Sequence, residues 1–404
     1  MPEAAGHGTP LLFARSLFLP EDLGGNRYPY EVIRRLGQRG HPVTVVTPRL
    51  HGRFPRLPGV RYRHYPVNRA HPLATHLTNV LGSVRALRHE APAPHRVALA
   101  GSYDVALALL WAGAGPRLPL IFLFHSEFYS EWVQALGRGP RGLVRRAIRS
   151  YMAAVERQVF AGSARIVAVS AFSARQIAAR APRARERTRV IPTGVDTAYF
   201  APAPDLDRVA ARRAAGQPVD RPLVVGVGRL VAVKQFDRLI TAFAAVRAGG
   251  LVARLVIAGA GPDEARLRRL IATFGMQQDV ELAGYCDPPR LRALLQAADL
   301  QVCSSAFENL SLAILEGMAC GTPVLGTPGG GTPELVGRID PALVLPGDDA
   351  GALADGLARC LRDPAALRRQ GARARAVAVA AFDWERVVDS LEELCTELSV
   401  TMSG

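Results

Sequence analysis

Lysine is almost missing from this sequence: of 50 basic residues one, Lys234, is a lysine and the rest are arginine. An ammonium is a compact point charge that a forked guanidinium does not duplicate at a tight site, so the surviving lysine marks a candidate functional cation. The Gly-Lys-Ser/Thr of a phosphate-binding P-loop is missing as well, because Val233 precedes and Gln235 follows that lysine. No G-x-G-x-x-G follows a strand-like run: Gly226 and Gly228 lead into Arg229 and Leu230, and Gly259 and Gly261 into Pro262. These absences remove P-loop chemistry and argue against a dinucleotide oxidoreductase. Cysteines are few, Cys286, Cys303, Cys320, Cys360 and Cys395, with no C-x-x-C pair, and all nine histidines lie in residues 1–125. That distribution offers no metal-ligating pattern and fits reduced thiols in the cytosol. No apolar run nears the roughly 20 residues of a membrane-crossing helix, and the opening stretch is cut by Arg15 with no basic segment ahead of it. A cytoplasmic protein is expected.

What the 404 residues do contain is apolar material for two full cores, 49% hydrophobic against 21% charged. Short apolar runs alternate with helical stretches throughout, the pattern of parallel sheets flanked by helices. Strands are expected at 11–19, 43–47, 60–65, 97–99, 120–124, 166–169 and 190–191. A second series follows a Pro- and Ala-rich stretch, at 223–227, 254–258, 280–282, 300–303, 323–326 and 343–345. The helices include 28–39, 144–160 and 385–398. The expectation is an α/β protein of two doubly wound, parallel-sheet domains facing across a cleft. The first spans 1–195 with the C-terminal helix 383–404 packed back on it, and the second spans 196–382. The one D-x-D, Asp205 to Asp207, falls in the stretch between them and reads as solvated linker.

Ligands of such sheets bind beyond the carboxyl ends of strands, so the loops there carry the candidates. Gly24 and Gly25 precede a helix and let backbone N–H groups approach an anion. Arg229 and Lys234 follow one strand and suit a diphosphate, the first as a fork and the second as a point charge. Glu308 and Glu316 lie eight apart after another strand. With a helix beginning near Leu310, Glu308 stands at its mouth and Glu316 two turns inside, roughly 12 Å away. The helix N-terminus between them offers unpaired N–H groups to a diphosphate.

With these residues in place the chain resembles a retaining glycosyltransferase of the GT-B fold, glycosyltransferase family 4. The resemblance runs over nearly the whole chain, in the family's order. Its segments are the Gly24–Gly25 loop, VIPTGVD at 190–196, VGRLVAVK at 227–234, IAGAGPDEARL at 257–267, LAGY at 282–285 and the E-x7-E pair. GTPVLGTPGGGTPELV at 321–336, PGDD at 346–349 and FDWERV at 382–387 complete them. Gln235 stands where a glycine usually follows the lysine, and Thr193 where an asparagine is usual. Asn309, Leu310 and Ser311 stand in place of a Gly-Phe-Gly-like stretch. The resemblance implies that Glu308 holds the hydroxyls of the transferred sugar, Glu316 the ribose, and Arg229 and Lys234 the diphosphate. It further implies that Asn309, Leu310, Ser311 and Leu312 complete the donor site, that the main chain around Cys286 receives the base, and that His125 lies near donor sugar and acceptor. No cofactor or metal is implied. The substrate is a nucleotide sugar such as a UDP- or GDP-hexose, transferred by front-face attack.

Residues 1–200 carry 28 arginines against 11 acidic residues, and the remainder 22 basic against 24 acidic. The acceptor-binding half is therefore the basic one, which suggests an anionic partner. Arg138, Arg141, Arg145, Arg146 and Arg149 surround a helix (141–157) whose other face carries Val144, Ile148, Tyr151, Met152 and Val155. That pattern fits either a helix lying on an anionic membrane surface or a core-facing helix with a solvated back. The acceptor is expected to be a glycan, a lipid-linked or a small molecule in cell-envelope synthesis, met at the inner membrane face. The alternatives are a sugar-nucleotide 2-epimerase of the same fold and a basic nucleic-acid-binding protein; no nucleic-acid partner is expected.

Overall fold

The computed structural model describes residues 8–15, 27–49, 54–68, 72–90, 96–114, 118–125, 143–203 and 207–401. Gly24, Gly25, Arg138, Arg141 and Asp205 lie outside the described residues, as do the side chains of Val144 and Arg145. Two compact units form, Met1–Pro192 with Glu385–Gly404, and Thr193–Trp384.

The first unit is built on strands β1 (Leu11–Ala14), β2 (Val43–Pro48), β3 (Val60–Tyr65), β4 (Val97–Ala100), β5 (Leu120–Phe124), β6 (Arg165–Ala168) and β7 (Thr188–Val190), all parallel, in the order β3-β2-β1-β4-β5-β6-β7. The second contains β8 (Leu223–Val227), β9 (Arg254–Ala258), β10 (Val280–Gly284), β11 (Leu300–Cys303) and β12 (Val324–Gly326), also parallel, in the order β10-β9-β8-β11-β12. The central strands are runs such as LLFA, VALA and LIFLF with every residue buried, as sheets covered by helices on both faces require. In each sheet the winding reverses beside its first strand, between β1 and β4 and between β8 and β11. Such a reversal opens a crevice at the carboxyl ends of the two strands.

Two sequence expectations change. Residues 343–345 do not form a strand of the second sheet. Pro341 starts a 3₁₀ turn ending at Leu343, the Asp340 carboxylate accepts the Ala342 N–H at 2.9 Å, and what remains is a bridge between Val344 and Gly326. The helix expected at 144–160 is Leu143–Gly162, and its apolar stripe belongs to the core. Met152, Val155, Val159 and Phe160 are buried there and Ile148 packs against them, whereas Arg146, Arg149 and Arg157 are exposed. The core-facing reading of this stripe therefore replaces the membrane-lying one. Among the described residues no helix is long and apolar enough to cross a membrane.

The C-terminal helix Trp384–Thr401 is tied to the helix Arg27–Gln38 by charge. Arg35 bonds Glu385 at 2.7 Å, Arg39 bonds Glu385, Asp389 and Glu392 at 2.7 Å each, and the buried His41 ring meets Glu392 at 2.7 Å. Burial alone would raise the two glutamates, but Arg39 and Arg35 outweigh it at Glu385, and His41 and Arg39 at Glu392, so both lie below the ordinary value of 4.5. A depressed carboxylate contributes stability that is complete above its unfolded pKa and is lost as pH falls through the folded one. Hydrogen exchange should therefore show the amides of Trp384–Thr401 losing protection below pH 4.5, ahead of the first unit's strands. Arg39→Ala should remove that pH dependence. Protection that falls uniformly across the unit would assign this network no holding role.

Candidate active site

Two loops meet at the reversal point of the second sheet. The loop after β8 turns at Gly228 (φ 156), exposes Arg229, buries Leu230 and tightens into a 3₁₀ turn at Ala232–Lys234. Gln235 then adopts left-handed backbone, φ 50, to cap the helix Phe236–Ala248. That conformation is the one glycine takes most readily, which accounts for the glycine usual at this position. The Gln235 side chain is held by Asp348 at 3.2 Å.

The loop after β11 is stitched to it. Ser304 Oγ donates to the Lys234 carbonyl at 2.8 Å, and the Ala306 N–H to that of Val233 at 2.9 Å. Lys234 Nζ thereby reaches Glu308 Oε1 as an ion pair, and Ser305 Oγ donates to the same oxygen at 2.7 Å. Side chains 21% and 13% exposed place the pair largely out of bulk water, where charge acts more strongly. A third segment fixes the glutamate from behind: Gly331 N–H donates to the Glu308 carbonyl at 2.7 Å, and a Cβ on Gly330 would lie 2.0 Å from that oxygen. The Arg229 carbonyl accepts the Val231 N–H at 2.9 Å, while its side chain, exposed, makes no hydrogen bond or ion pair among the described residues.

The helix after Glu308 runs from Leu312 to Ala319 with Ser311 at its N-cap, two residues later than the start expected near Leu310. Ser311 takes the N-cap backbone without a side-chain bond to the helix, and the chain before it is occupied in holding Glu308. Glu316 is consequently the fifth helical residue, one turn in rather than two. It is buried, with Ile314, Leu315 and Met318 around it in sequence. Asn309 and Leu310 are half-buried and Ser311 is buried.

The neighbouring strand ends share this architecture. Gly228 N–H bonds the Ala258 carbonyl at 3.0 Å, and Gly259 N–H that of Gly284 at 2.8 Å, so the loops after β8, β9 and β10 lie one on the next. Cys286, after the left-handed Gly284 (φ 68), is buried, and that burial pushes its thiol pKa up. Any contact to a ligand there falls to the main chain or to its exposed neighbour Tyr285.

In the first unit His125 follows β5, with Tyr28 edge-on to its ring at 4.7 Å. Burial, and then the Arg15 guanidinium, push its pKa down to about 3, so the imidazole is neutral at physiological pH. Arg15 follows β1 and lies across the end of β4, where a Cβ on Gly101 would come within 2.9 Å of its Nη1. Sequence reasoning gave Arg15 no role beyond interrupting an apolar run. Ser304 and Ser305 were also given no role, and the Gly329–Gly331 stretch was counted within the 321–336 segment without one, though a triple glycine near the glutamate pair was a readable signal.

Comparison with known proteins is consistent across the chain. The model of the glycosyl transferases group 1 matches residues 207–377, and that of glycosyltransferase family 4 matches residues 24–199. A D-inositol 3-phosphate glycosyltransferase of Nocardia farcinica is 31% identical over 399 residues, covering 92% of this chain and 84% of that protein. Among solved structures, sucrose-phosphate synthase from Thermosynechococcus elongatus superposes with a TM-score of 0.81 at 22% identity, over 97% of this chain and 100% of that one. Anabaena HepE, in complex with UDP and glucose, gives 0.73 at 19%, over 96% and 100%. The chain thus belongs to glycosyltransferase family 4, the glycosyl transferases group 1, and is a GT-B-fold glycosyltransferase.

Proposed function

We propose that the protein moves a hexosyl group from a UDP- or GDP-hexose to a hydroxyl of a cell-envelope acceptor, with retention of configuration and without a metal ion. The Lys234–Glu308 pair at the reversal point of the second sheet, with the exposed Arg229 on the same loop as the lysine, carries this reading. Arg229 and Lys234 take the diphosphate, and the N-terminus of Leu312–Ala319 adds the positive end of its dipole. Negative charge grows on the leaving phosphate as the C1–O bond breaks, and fixed cations there lower the barrier. Glu308, already oriented by Ser305 and Gly331, exchanges part of its ion pair for sugar hydroxyls, while Glu316 takes the ribose and the main chain at Cys286 the base. The acceptor oxygen bonds to C1 on the face the phosphate leaves, and its proton passes to the departing phosphate oxygen. A neutral His125 suits a hydroxyl partner, since an uncharged imidazole can donate or accept a hydrogen bond. The first unit is assigned to the acceptor and the second to the donor. Any attraction of the first unit to an anionic membrane on the cytoplasmic side rests on exposed arginines such as Arg146 and Arg149, as surface charge.

Thermal shift with UDP, GDP, ADP and dTDP tests the donor half. A ligand at a hundredfold excess over Kd stabilises the folded state by about 2.7 kcal/mol, worth roughly 5–10 °C for a unit of this size. A shift with one nucleotide diphosphate is expected, unchanged by EDTA. No shift with any of the four would remove the reading's main support, and a shift abolished by EDTA would refute the metal-free part. The anomeric configuration of the product, read by NMR, decides retention.

A further inference from the structure

A pocket of about 270 Å³ lies at the opposite end of the second unit's sheet from the donor loops. Pro222 and Asp299 line it and immediately precede β8 and β11, whereas Arg229 and Glu308 follow those same strands. The length of β8, roughly 15 Å at about 3.3 Å per residue, therefore separates the two places. Four arginines, Arg208, Arg212, Arg221 and Arg368, line the pocket with two carboxylates, Asp220 and Asp299. That excess of positive charge is local, because residues 201–404 carry 22 basic against 24 acidic residues.

The fold accounts for one of the four. Arg212 is 8% exposed, donates to the carbonyls of Ala297 at 3.3 Å and Arg221 at 3.0 Å, and pairs with Asp299. Asp299 Oδ2 also accepts the Leu223 N–H at 2.7 Å, so this buried pair is complete. Arg208 is held more loosely, 3.4 Å from Asp299 Oδ1 and 3.3 Å from the Gly321 carbonyl, both long for charge-assisted hydrogen bonds. Arg221 shares Asp220 at 3.3 Å and stands 3.6 Å from Asp279, which Arg247 holds at 2.8 Å. Asp220 is 65% exposed, and ion pairs open to water in this way contribute little and exchange readily. The exposed Arg368 makes no hydrogen bond or ion pair among the described residues. Three guanidiniums thus keep donors to spare around one cavity.

We propose that this pocket binds a phosphoryl group, as free phosphate or as the head of a small phosphate monoester. Guanidinium forks match the spacing of phosphate oxygens, and arginines on different segments can take different oxygens of one group. The buried Leu361 and Leu367 form an apolar side, against which charge acts more strongly than in open water. The 19-residue helix Pro364–Phe382 begins at the rim, with proline at its first turn, and adds the positive end of its dipole; the Asp363 carboxylate takes one of its N–H groups, that of Ala366, at 2.8 Å. The volume lies just under the roughly 300–1,000 Å³ of drug-sized sites, which suits an ester smaller than a nucleotide. The pocket shares no residue with the donor loops, so the proposal stands apart from the transfer chemistry above.

Isothermal titration calorimetry of the full chain at constant chloride tests it, with sodium phosphate and glycerol 3-phosphate as separate probes. Saturable binding of at least one is expected. Arg368→Glu should weaken it at least tenfold and Arg221→Gln about threefold, whereas Arg229→Ala should leave it as in the wild type. Arg368 is exposed and unbonded, so its replacement keeps the fold, and its result stands if Arg221→Gln is destabilised. Tighter binding of the ester assigns the pocket to a phosphorylated metabolite, and an ester bound no more tightly than phosphate assigns it to the free ion. Absence of saturable binding by both probes, or equal binding by wild type and Arg368→Glu, would overturn the proposal. So would binding lost in Arg229→Ala and kept in Arg368→Glu, which would put the phosphate in the donor loops.

Discussion

Replacing Lys234 with alanine is expected to lower kcat by about 10²- to 10³-fold, the usual loss when one fixed donor to a developing charge is removed, and to weaken binding of the nucleotide diphosphate. Arginine should not rescue it. The lysine stem runs along Gly228, whose Cβ would lie 3.2 Å from Lys234 Cε, and a planar guanidinium on that path is bulkier and cannot present a point charge to Glu308. The substitution also strands Glu308, leaving a mostly buried carboxylate with Ser305 as its remaining side-chain partner. Stability should therefore fall in Lys234→Ala and recover in Lys234→Ala/Glu308→Gln, while activity stays low in both. Calorimetric titration with UDP and GDP, thermal melts and turnover separate these effects. Unchanged nucleotide affinity in the single variant would break the diphosphate assignment. Loss of stability without recovery in the double variant would mean that the pair matters for more than mutual compensation.

Gly259→Ala should be the most damaging small substitution in the second unit. The glycine sits at φ 153, and an added Cβ would lie 1.8 Å from the Gly228 carbonyl oxygen, which is part of the backbone and cannot rotate away. Strained backbone and forced displacement together cost about 3–5 kcal/mol, a fall in Tm of roughly 10 °C for about 190 residues. Because the carbonyl that must move belongs to the turn presenting Arg229, nucleotide binding should fall with stability. Gly250→Ala is the control. It shares a positive φ of 86 with nothing within 4 Å of its Cβ, so it should cost about 1–2 kcal/mol from backbone strain alone. Similar melting temperatures for the two variants would show that the close approach at Gly228 relaxes freely.

Both units could be read from residue order because their central strands are almost wholly buried runs. Val60–Tyr65, Leu120–Phe124, Leu223–Val227, Arg254–Ala258 and Leu300–Cys303 fall where their patterns place them. Reading failed where local chemistry competes with apolar character. Residues 343–345 look like a strand, yet Pro341 and the Asp340 cap begin a turn there. The basic helix was ambiguous for a different reason: an apolar stripe has the same spacing whether lipid or core covers it, and here Met152 and Val155 belong to the core.

Sequence alone determined the parallel α/β class, and the resemblance of its ordered motifs the transferase, with Arg229, Lys234 and Glu308 on strand-end loops and Glu316 in the helix after one of them. The class follows from periodicity, and the transferase reading from a family resemblance carried by residue order. Tertiary structure decided how the charges are used. Lys234 and Glu308, 74 residues apart, become a pair because β8 and β11 are neighbours across the sheet's reversal. His125 is neutral because its ring is buried, an effect to which the Arg15 guanidinium adds. Burial and proximity set the energy of a charge, and neither is a property of position along the chain.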